Sequence, residues 1–365
     1  MSPACEPITL VSHAGGRSLM ICTQSDASGP ITFGPYACGP VNFVSRACDP
    51  NTLVSHSSGP DHFRVTRERP ITYELHACDP ITLGSRAYGP ITLESDASGP
   101  ITFGPYACGP VNFVSRACDP NTLVSHASGP DHFRVTRERP ITYGLHACDP
   151  ITLGSRAYGP ITLESHASGP ITFEPYACGP VNFVSRACDP NTLVSHAGAP
   201  ITNRSPAATQ SLWGHAQSHA SGPLTRRSRA CGPITFGSPA CEPITLVSHA
   251  GAPITNRSPA CDPITLESRA CGPITLESHA SGPITFGMNA RGPVNLVSRA
   301  CDPNTLMSHA SSPDHFRVTR ERPITYELHE GAPITLGSHA GTPITNRSPA
   351  CGRSLVGVAR VRPGH

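Results

Sequence analysis

The sequence contains no lysine, and all 27 of its basic residues are arginine. It has one tryptophan, 5% aromatic and 14% charged residues, and a formal net charge of +2. Soluble surfaces normally use both cations, because lysine is a compact and strongly hydrated charge. The absence of lysine beside abundant Pro, Ala, Gly and Arg is what GC-rich codons would give. The small net charge argues against binding to the phosphates of a nucleic acid.

Long apolar stretches are also lacking. No segment approaches the roughly eighteen consecutive apolar residues of a membrane helix, and Met1–Pro7 lacks the basic and apolar parts of a secretory signal. We therefore expect no membrane association and, by default, a cytoplasmic chain of otherwise unknown localisation. Its 16 cysteines would then be mostly reduced, which argues against a disulfide framework.

What the sequence does contain is a ten-residue unit in tandem, for example Ile-Thr-Leu-Glu-Ser-Asp-Ala-Ser-Gly-Pro at 91–100. We number this decad from its proline as position 0, so that Ile is position 1 and Gly is position 9. Proline recurs at every tenth residue from 30 to 200 and again from 223 to 343. Such a short internal period is the signature of a repeat architecture.

A longer period lies above the decad. Residues 31–100 and 101–170 are identical at 67 of 70 positions. The three differences are Ser57/Ala127, Glu74/Gly144 and Asp96/His166. Near-identity that includes surface-type positions points to a recent duplication of DNA.

The repeats divide the chain into five segments without a change of composition between them, so separate domains are not predicted. The segments are 1–29, with one decad and a thirteen-residue variant unit; 30–200, the first array; 201–222, a variant unit with Trp213; 223–352, the second array; and 353–365, a tail.

Two folds are compatible with the decad. A proline every ten residues excludes long helices, and the alternation of Ile91, Leu93, Ser95 and Ala97 with polar residues has the period of a strand. The even length of the decad keeps the same face inward, which permits a β-solenoid. Only two sizeable apolar residues per decad face inward, however, and proline donates no hydrogen bond. We therefore predict a mainly disordered or irregular, proline-rich, low-complexity chain, with a β-solenoid of ten-residue repeats as the alternative.

No motif predicts a catalytic, cofactor or metal site, and no enzyme is expected. The cysteines lie ten or more residues apart, whereas zinc sites need close pairs. The His-Ala-Cys segments at 76–78 and 146–148 each offer two ligands but are copies of one decad. The tandem array offers many equivalent Asp, His and Ser residues and no unique catalytic group.

Three further patterns have weak functional interpretations. Arg64, Arg67 and Arg69 lie in a charged decad that recurs at 131–140 and 314–323, where acidic residues offset part of the charge. Thr225–Arg229 is a short basic cluster. Glycosylation patterns begin at Asn203, Asn256 and Asn346, each followed by proline after the serine, and no entry signal precedes them.

Variation between decads follows single-base changes, such as His/Arg and His/Asp at position 6 and Cys/Arg at position 8, with Arg291 as an example. The chain resembles the translation of a GC-rich, thirty-base minisatellite over nearly its whole length. That resemblance implies a polypeptide without an evolved activity and a dubious reading frame. The alternative is a structural or interaction protein with weak multivalent contacts to unknown partners.

A weaker resemblance is to the antifreeze solenoids of midges, which share only the ten-residue period. Those coils carry two cysteines each, whereas here a decad has at most one, and Asn42, Asn112 and His132 interrupt the threonine row. Ice binding is therefore not predicted.

Overall fold

The computed structural model is a regular parallel β-solenoid within each of two compact units, Met1–Ser185 and Arg186–His365. The boundary falls inside the first array. The five sequence segments remain a prediction. The structure describes residues 8–14, 19–27, 29–47, 50–66, 70–117, 119–136, 140–187, 191–206, 214–220, 222–230, 232–237, 243–260, 263–300, 303–310, 314–319, 324–329, 334–339, 344–346 and 355–357.

The described part of the chain contains strands and no helix. The strands that begin in the first unit are β1 Ile8–Ala14, β2 Leu19–Ala27, β3 Ile31–Ala37, β4 Val41–Ala47, β5 Asn51–Ser57, β6 Asp61–Thr66, β7 Ile71–Ala77, β8 Ile81–Ala87, β9 Ile91–Ala97, β10 Ile101–Ala107, β11 Val111–Ala117, β12 Asn121–Ala127, β13 Asp131–Thr136, β14 Ile141–Ala147, β15 Ile151–Ala157, β16 Ile161–Ala167, β17 Ile171–Ala177 and β18 Val181–Ala187.

The strands of the second unit are β19 Asn191–Ala197, β20 Ile201–Pro206, β21 Gly214–Ala220, β22 Leu224–Ala230, β23 Ile234–Gly237, β24 Ile244–Ala250, β25 Ile254–Ala260, β26 Ile264–Ala270, β27 Ile274–Ala280, β28 Ile284–Ala290, β29 Val294–Ala300, β30 Asn304–Ala310, β31 Asp314–Thr319, β32 Ile324–His329, β33 Ile334–His339, β34 Ile344–Asn346 and β35 Leu355–Gly357.

One coil of the solenoid takes two decads. Within each unit, described strands pair in parallel with the strand two places along the chain, so Ile71 of β7 lies beside Ile91 of β9 and beside Asn51 of β5. Odd-numbered strands form one sheet and even-numbered strands form the other, which we call the odd sheet and the even sheet. The resemblance to ten-residue-coil antifreeze proteins therefore does not extend to the coil itself.

The strand alternation is confirmed in the burial of the side chains. Positions 1, 3, 5 and 7 point into the coil, as in β9, where Ile91 and Leu93 are fully buried and Thr92 and Glu94 are exposed. Aromatic residues at position 3 meet across the core. The rings of Phe33 and Phe43, in opposite sheets, are stacked with their centroids 4.5 Å apart.

Proline does not interrupt the backbone ladder, because its carbonyl group still accepts. The position 1 amide of one coil donates to the proline carbonyl that precedes the next coil, as from Ile81 to Pro100 at 2.9 Å. After the strand, the amide at position 8 donates to an alanine carbonyl of the previous coil, as from Ser98 to Ala77 at 3.0 Å. The hydrogen bonds therefore continue into the corners.

The prediction of a mainly disordered chain is wrong, and the β-solenoid alternative is correct. The prediction counted two large apolar residues per decad and a lost proline donor. It undervalued the small inward residues Ser95 and Ala97, which are buried beside Ile91 and Leu93, and the acceptor role of proline. Because all coils stack in one register, each strand pairs with the coil before it and the coil after it. Each inward side chain likewise packs against both neighbouring coils, as in other solenoids.

The variable positions are also less disruptive than the sequence suggests. Arg291 replaces Cys at position 8, and its side chain is exposed at a corner, as are Cys108 and Cys148. Position 6, which holds His, Arg, Tyr, Asp or Thr, faces outward throughout the described residues of the first unit. Much of the chemical drift between decads therefore lies outside the core.

Successive seventy-residue blocks lie half a coil out of phase, because seven decads make three and a half coils. Ile31–Ala37 forms β3 in the odd sheet, and its identical copy Ile101–Ala107 forms β10 in the even sheet. The same sequence therefore fits either side of the coil, and both copies show the same alternation of buried and exposed residues.

The thirteen-residue variant near the amino terminus keeps the register of the stack. In β2 the pairing with β4 changes from Thr23 beside Ser45 to Asp26 beside Arg46, so a β-bulge absorbs two residues. In the second unit Ile201 pairs with Leu224, which is 23 residues away. Residues 207–213, including Trp213, lie outside the described residues.

Gly99, at position 9, is in close contact with the backbone of another coil. A Cβ atom added to Gly99 would lie 2.5 Å from the carbonyl carbon of Asp79, in the coil before it. By contrast, a Cβ atom on Gly84, at the outward position 4, would meet nothing within 4 Å. Replacement by alanine should therefore cause a backbone clash at Gly99 and none at Gly84.

We predict that Gly99→Ala lowers the free energy of unfolding by about 1–3 kcal/mol, because the backbone of an adjacent coil must move. Gly84→Ala is the matched control and should leave stability unchanged or raise it slightly, since alanine reduces the freedom of the unfolded chain. Urea unfolding followed by circular dichroism measures both. Equal stability of the two variants would contradict the close coil contact.

Candidate functional site

The outward positions form rows that run from coil to coil, and the most distinctive row lies on the even sheet of the first unit. At position 6 it carries Arg86, Tyr106, His126, His146 and His166, on β8 to β16. We call it the second ladder, because most of it lies in the second seventy-residue block, 101–170. Its ring centroids follow one another at 4.7, 4.7 and 4.9 Å. The Arg86 guanidinium lies 5.4 Å from the Tyr106 ring centroid, where a cation–π contact is favourable.

A groove of ≈ 740 Å³ follows this ladder along the corner of the coil. Its floor consists of position 7 alanines, which are 6–8% exposed, and its walls are formed by positions 6 and 8. The floor residues are Ala87, Ala107, Ala127 and Ala147. The wall opposite the ladder is Tyr88, Cys108, Ser128 and Cys148. The groove therefore combines an apolar floor with polar and aromatic walls.

The first seventy-residue block carries the equivalent row on the odd sheet, and we call it the first ladder. It runs through His13, Tyr36, His56, His76 and Asp96. Its rings stack with centroids 5.0, 4.8 and 4.8 Å apart.

Carboxylates distinguish the first ladder from the second. His76 lies between two of them, with Nε2 3.6 Å from Glu74 Oε1 and Nδ1 3.9 Å from Asp96 Oδ2. The second ladder has Gly144 and His166 at these places. Two of the three differences between the blocks, Glu74/Gly144 and Asp96/His166, therefore change the charge in or beside the ladder.

A second groove, of ≈ 650 Å³, lies on the odd sheet of the first unit. Arg134, Arg156 and His132 line it together with the carboxylate Glu174. Arg156 also lies over the Tyr176 ring, 5.5 Å from its centroid. Opposite charges are thus mixed in this groove, whereas no Asp or Glu is among the lining residues of the groove along the second ladder.

Three aspartates are buried in the coil at position 1, where most decads have Ile. Asp61, Asp131 and Asp314 are 0–3% exposed. Each accepts a hydrogen bond at Oδ2 from a serine hydroxyl of the preceding decad, at 3.0–3.1 Å. Burial raises the pKa of Asp61 to about 6 and that of Asp131 to about 7, and it also raises the pKa of Asp314. These carboxyl groups are structural parts of the core.

A buried arginine in the second unit has a different role from the one that the sequence suggests. The strand alternation divides the basic cluster Thr225–Arg229, so that Arg227 and Arg229 face outward and Arg226 faces the core, where it is 6% exposed. Its guanidinium carbon lies 4.1 Å from the centroid of the Phe236 ring. Nε and Nη1 have no hydrogen-bond partner in the structure. Burial lowers the pKa of Arg226 to about 9, so it remains a cation at neutral pH.

The remaining candidates from the sequence are dispersed. Arg64 is exposed on β6, and Arg67 and Arg69 lie outside the described residues. Asn203 and Asn256 are buried, so the folded chain does not present their amides, and Asn256 Oδ1 accepts a 2.7 Å hydrogen bond from Ser258. The cysteines described in the structure are free and exposed at Cys38, Cys78, Cys108, Cys148, Cys178 and Cys271.

Among the described residues, no three His, Cys, Asp or Glu side chains are grouped so that they could hold a metal ion. His146 and Cys148 lie on the two walls of the groove. The same part of the chain forms no helix that is long and apolar enough to cross a membrane. No protein family model matches the chain, and neither a curated protein nor a solved structure is similar to it.

The raised pKa values of the buried aspartates predict a dependence of stability on pH. The fold favours their protonated form, and this contribution is complete below the ordinary pKa of 3.8 and is lost as pH rises through about 6 to 7. Unfolding titrations at pH 5 and pH 8 should show, at the higher pH, a loss of roughly 1–2 kcal/mol from Asp61 and roughly 2–3 kcal/mol from Asp131, with a further loss from Asp314.

The triple variant Asp61→Asn, Asp131→Asn, Asp314→Asn should lose less stability between pH 5 and pH 8, because it lacks the three carboxyl groups. The fold accommodates asparagine at position 1, since Asn51 and Asn121 are already buried there. The matched control replaces the exposed Glu94, Glu174 and Glu267 with Gln and should retain the wild-type profile. If the two triple variants have the same pH profile, the aspartates do not carry the effect.

We also predict that Arg226→Leu stabilises the second unit by about 1–3 kcal/mol, because a desolvated cation with unpaired donors is removed. Leucine already occupies the neighbouring position 3 at Leu246. Arg227→Leu, at the exposed neighbouring position, is the control and should change stability little. Thermal melts at constant pH measure both, and a destabilised Arg226→Leu variant would contradict this account.

Proposed function

We propose that the protein is a non-enzymatic β-solenoid scaffold whose outward rows make weak, multivalent contacts with proteins. The observation that carries this proposal is the constant register. Residues at one decad position repeat along each sheet from coil to coil, as in the row Thr82, Thr102, Thr122 and Thr142 on β8 to β14. Identical groups at fixed spacing raise the effective concentration of every contact after the first.

The absence of a catalytic role is part of the proposal. The most perturbed carboxyl groups, Asp61 and Asp131, are buried and accept hydrogen bonds from Ser55 and Ser125. A general acid or base must instead reach the proton that it transfers. The outward rows offer many equivalent groups, which suit repeated binding better than a single reaction.

The origin of the array belongs to the same proposal. We propose that it arose by duplication of a thirty-base DNA unit, supported by the identity of 67 of 70 residues between adjacent blocks. The half-coil offset supports such growth, because a copied decad fits either sheet.

Multivalency is tested with any protein that the full chain captures, prepared as a monomer and as a dimer with a flexible tether. The dimer should bind about 10²–10⁴ times more tightly than the monomer, since its second contact is intramolecular. The control is a dimer with one inactivated binding surface. Equal affinities of dimer and monomer, for every captured partner, would overturn the multivalent scaffold.

A further inference from the structure

The groove beside the second ladder has the shape of a site for a long, thin ligand. Three ring-to-ring steps of 4.7, 4.7 and 4.9 Å separate Tyr106 from His166, and Arg86 extends the row by one more coil. The floor is a continuous line of alanine methyl groups. No side chain larger than alanine stands on that floor, so a straight molecule can lie along it.

The walls supply aromatic contacts. Tyr88, on one wall, is 67% exposed, and Tyr106, on the other, is 50% exposed. Aromatic side chains bury large apolar areas while the hydroxyl group stays in water. The imidazole rings of His126 and His146 are stacked 7° from parallel, which leaves their edges for a ligand, whereas the His166 ring is tilted by 44° from that of His146.

The charges of the row favour an anion. Arg86 places a guanidinium cation at one end, and imidazole is the side chain that becomes cationic just below neutral pH. The groups around the imidazoles of His126 and His146 are Tyr106 on β10, Cys108 directly after it, Cys148 directly after β14, and His166 with Glu164 on β16. Glu164 Oε1 lies 4.0 Å from His166 Nε2, at the end of the row away from Arg86.

We propose that this groove binds an elongated, planar, anionic aromatic ligand along the alanine floor, with its charged groups toward Arg86 and the imidazoles of His126 and His146. The first ladder has His13 where the second has Arg86, and it carries Glu74 and Asp96, so it does not bind such a ligand well. The two ladders are thus natural variants of one surface.

The proton affinity of the row agrees with this assignment. Burial lowers the pKa of His126, and the neighbouring charge of His146 lowers it further. Stacked imidazolium groups repel one another, and a bound anion relieves that repulsion. Binding should therefore strengthen as the pH falls from 8 to 6, and the ligand should take up protons on binding.

The test uses the full chain and two dyes of similar shape and opposite charge, the disulfonated Congo red and the cationic thioflavin T. Congo red should bind the wild type about tenfold more tightly at pH 6 than at pH 8. Thioflavin T should bind more weakly at pH 6. Binding is measured by titration of dye absorbance or fluorescence, with circular dichroism to verify that each variant is folded.

The variants exchange the two ladders. Gly144→Glu with His166→Asp gives the second ladder the residues of the first, which the fold already accommodates, and should weaken Congo red binding about tenfold. Glu74→Gly with Asp96→His removes both carboxylates that distinguish the first ladder and should add a pH-dependent site. His126→Asn with His146→Asn should remove the pH dependence, and Asn289 shows that asparagine is accommodated at position 6.

Three results would overturn the proposal. They are unchanged Congo red affinity in the Gly144→Glu, His166→Asp variant, equal affinity for the two dyes at pH 6, and pH dependence that persists without His126 and His146.

Discussion

Backbone hydrogen bonding between coils, in a register of two decads, is the constraint on which the structure depends. Every residue of β7, for example, lies beside the residue of the same phase in β5 and in β9. The register forces equal side chains into rows, both inside and outside. The buried Ile and Leu rows stabilise the coil through removal of apolar surface from water, and the outward rows determine what the surface can bind.

The alternation of the decad and its even length were sufficient to predict which residues face inward. Ile91 and Leu93 are buried and Thr92 and Glu94 are exposed, as the period of two requires. Order itself was not predicted, because proline was treated only as a lost donor. Its carbonyl accepts from the preceding coil, as Pro100 does from Ile81, and small residues such as Ala97 complete the interior.

The candidate site could not be found from the decad because it depends on the length of the coil. With one decad per coil His126 would lie beside Arg116 and Thr136, whereas with two it lies beside Tyr106 and His146. The sequence alone does not choose between these stackings. Arg226 did carry a visible signal, since it stands at position 3, where most decads have Leu or Phe. Its interpretation as part of a basic cluster ignored the alternation that directs it inward.

The most direct test of the central claim is the circular dichroism spectrum of the purified full chain in neutral buffer, followed through urea unfolding. The stacked coils predict a β-sheet spectrum that disappears in a cooperative transition, because each coil is stabilised by its neighbours. A spectrum of unordered chain that changes gradually with urea, with no transition, would contradict the β-solenoid and every surface derived from it.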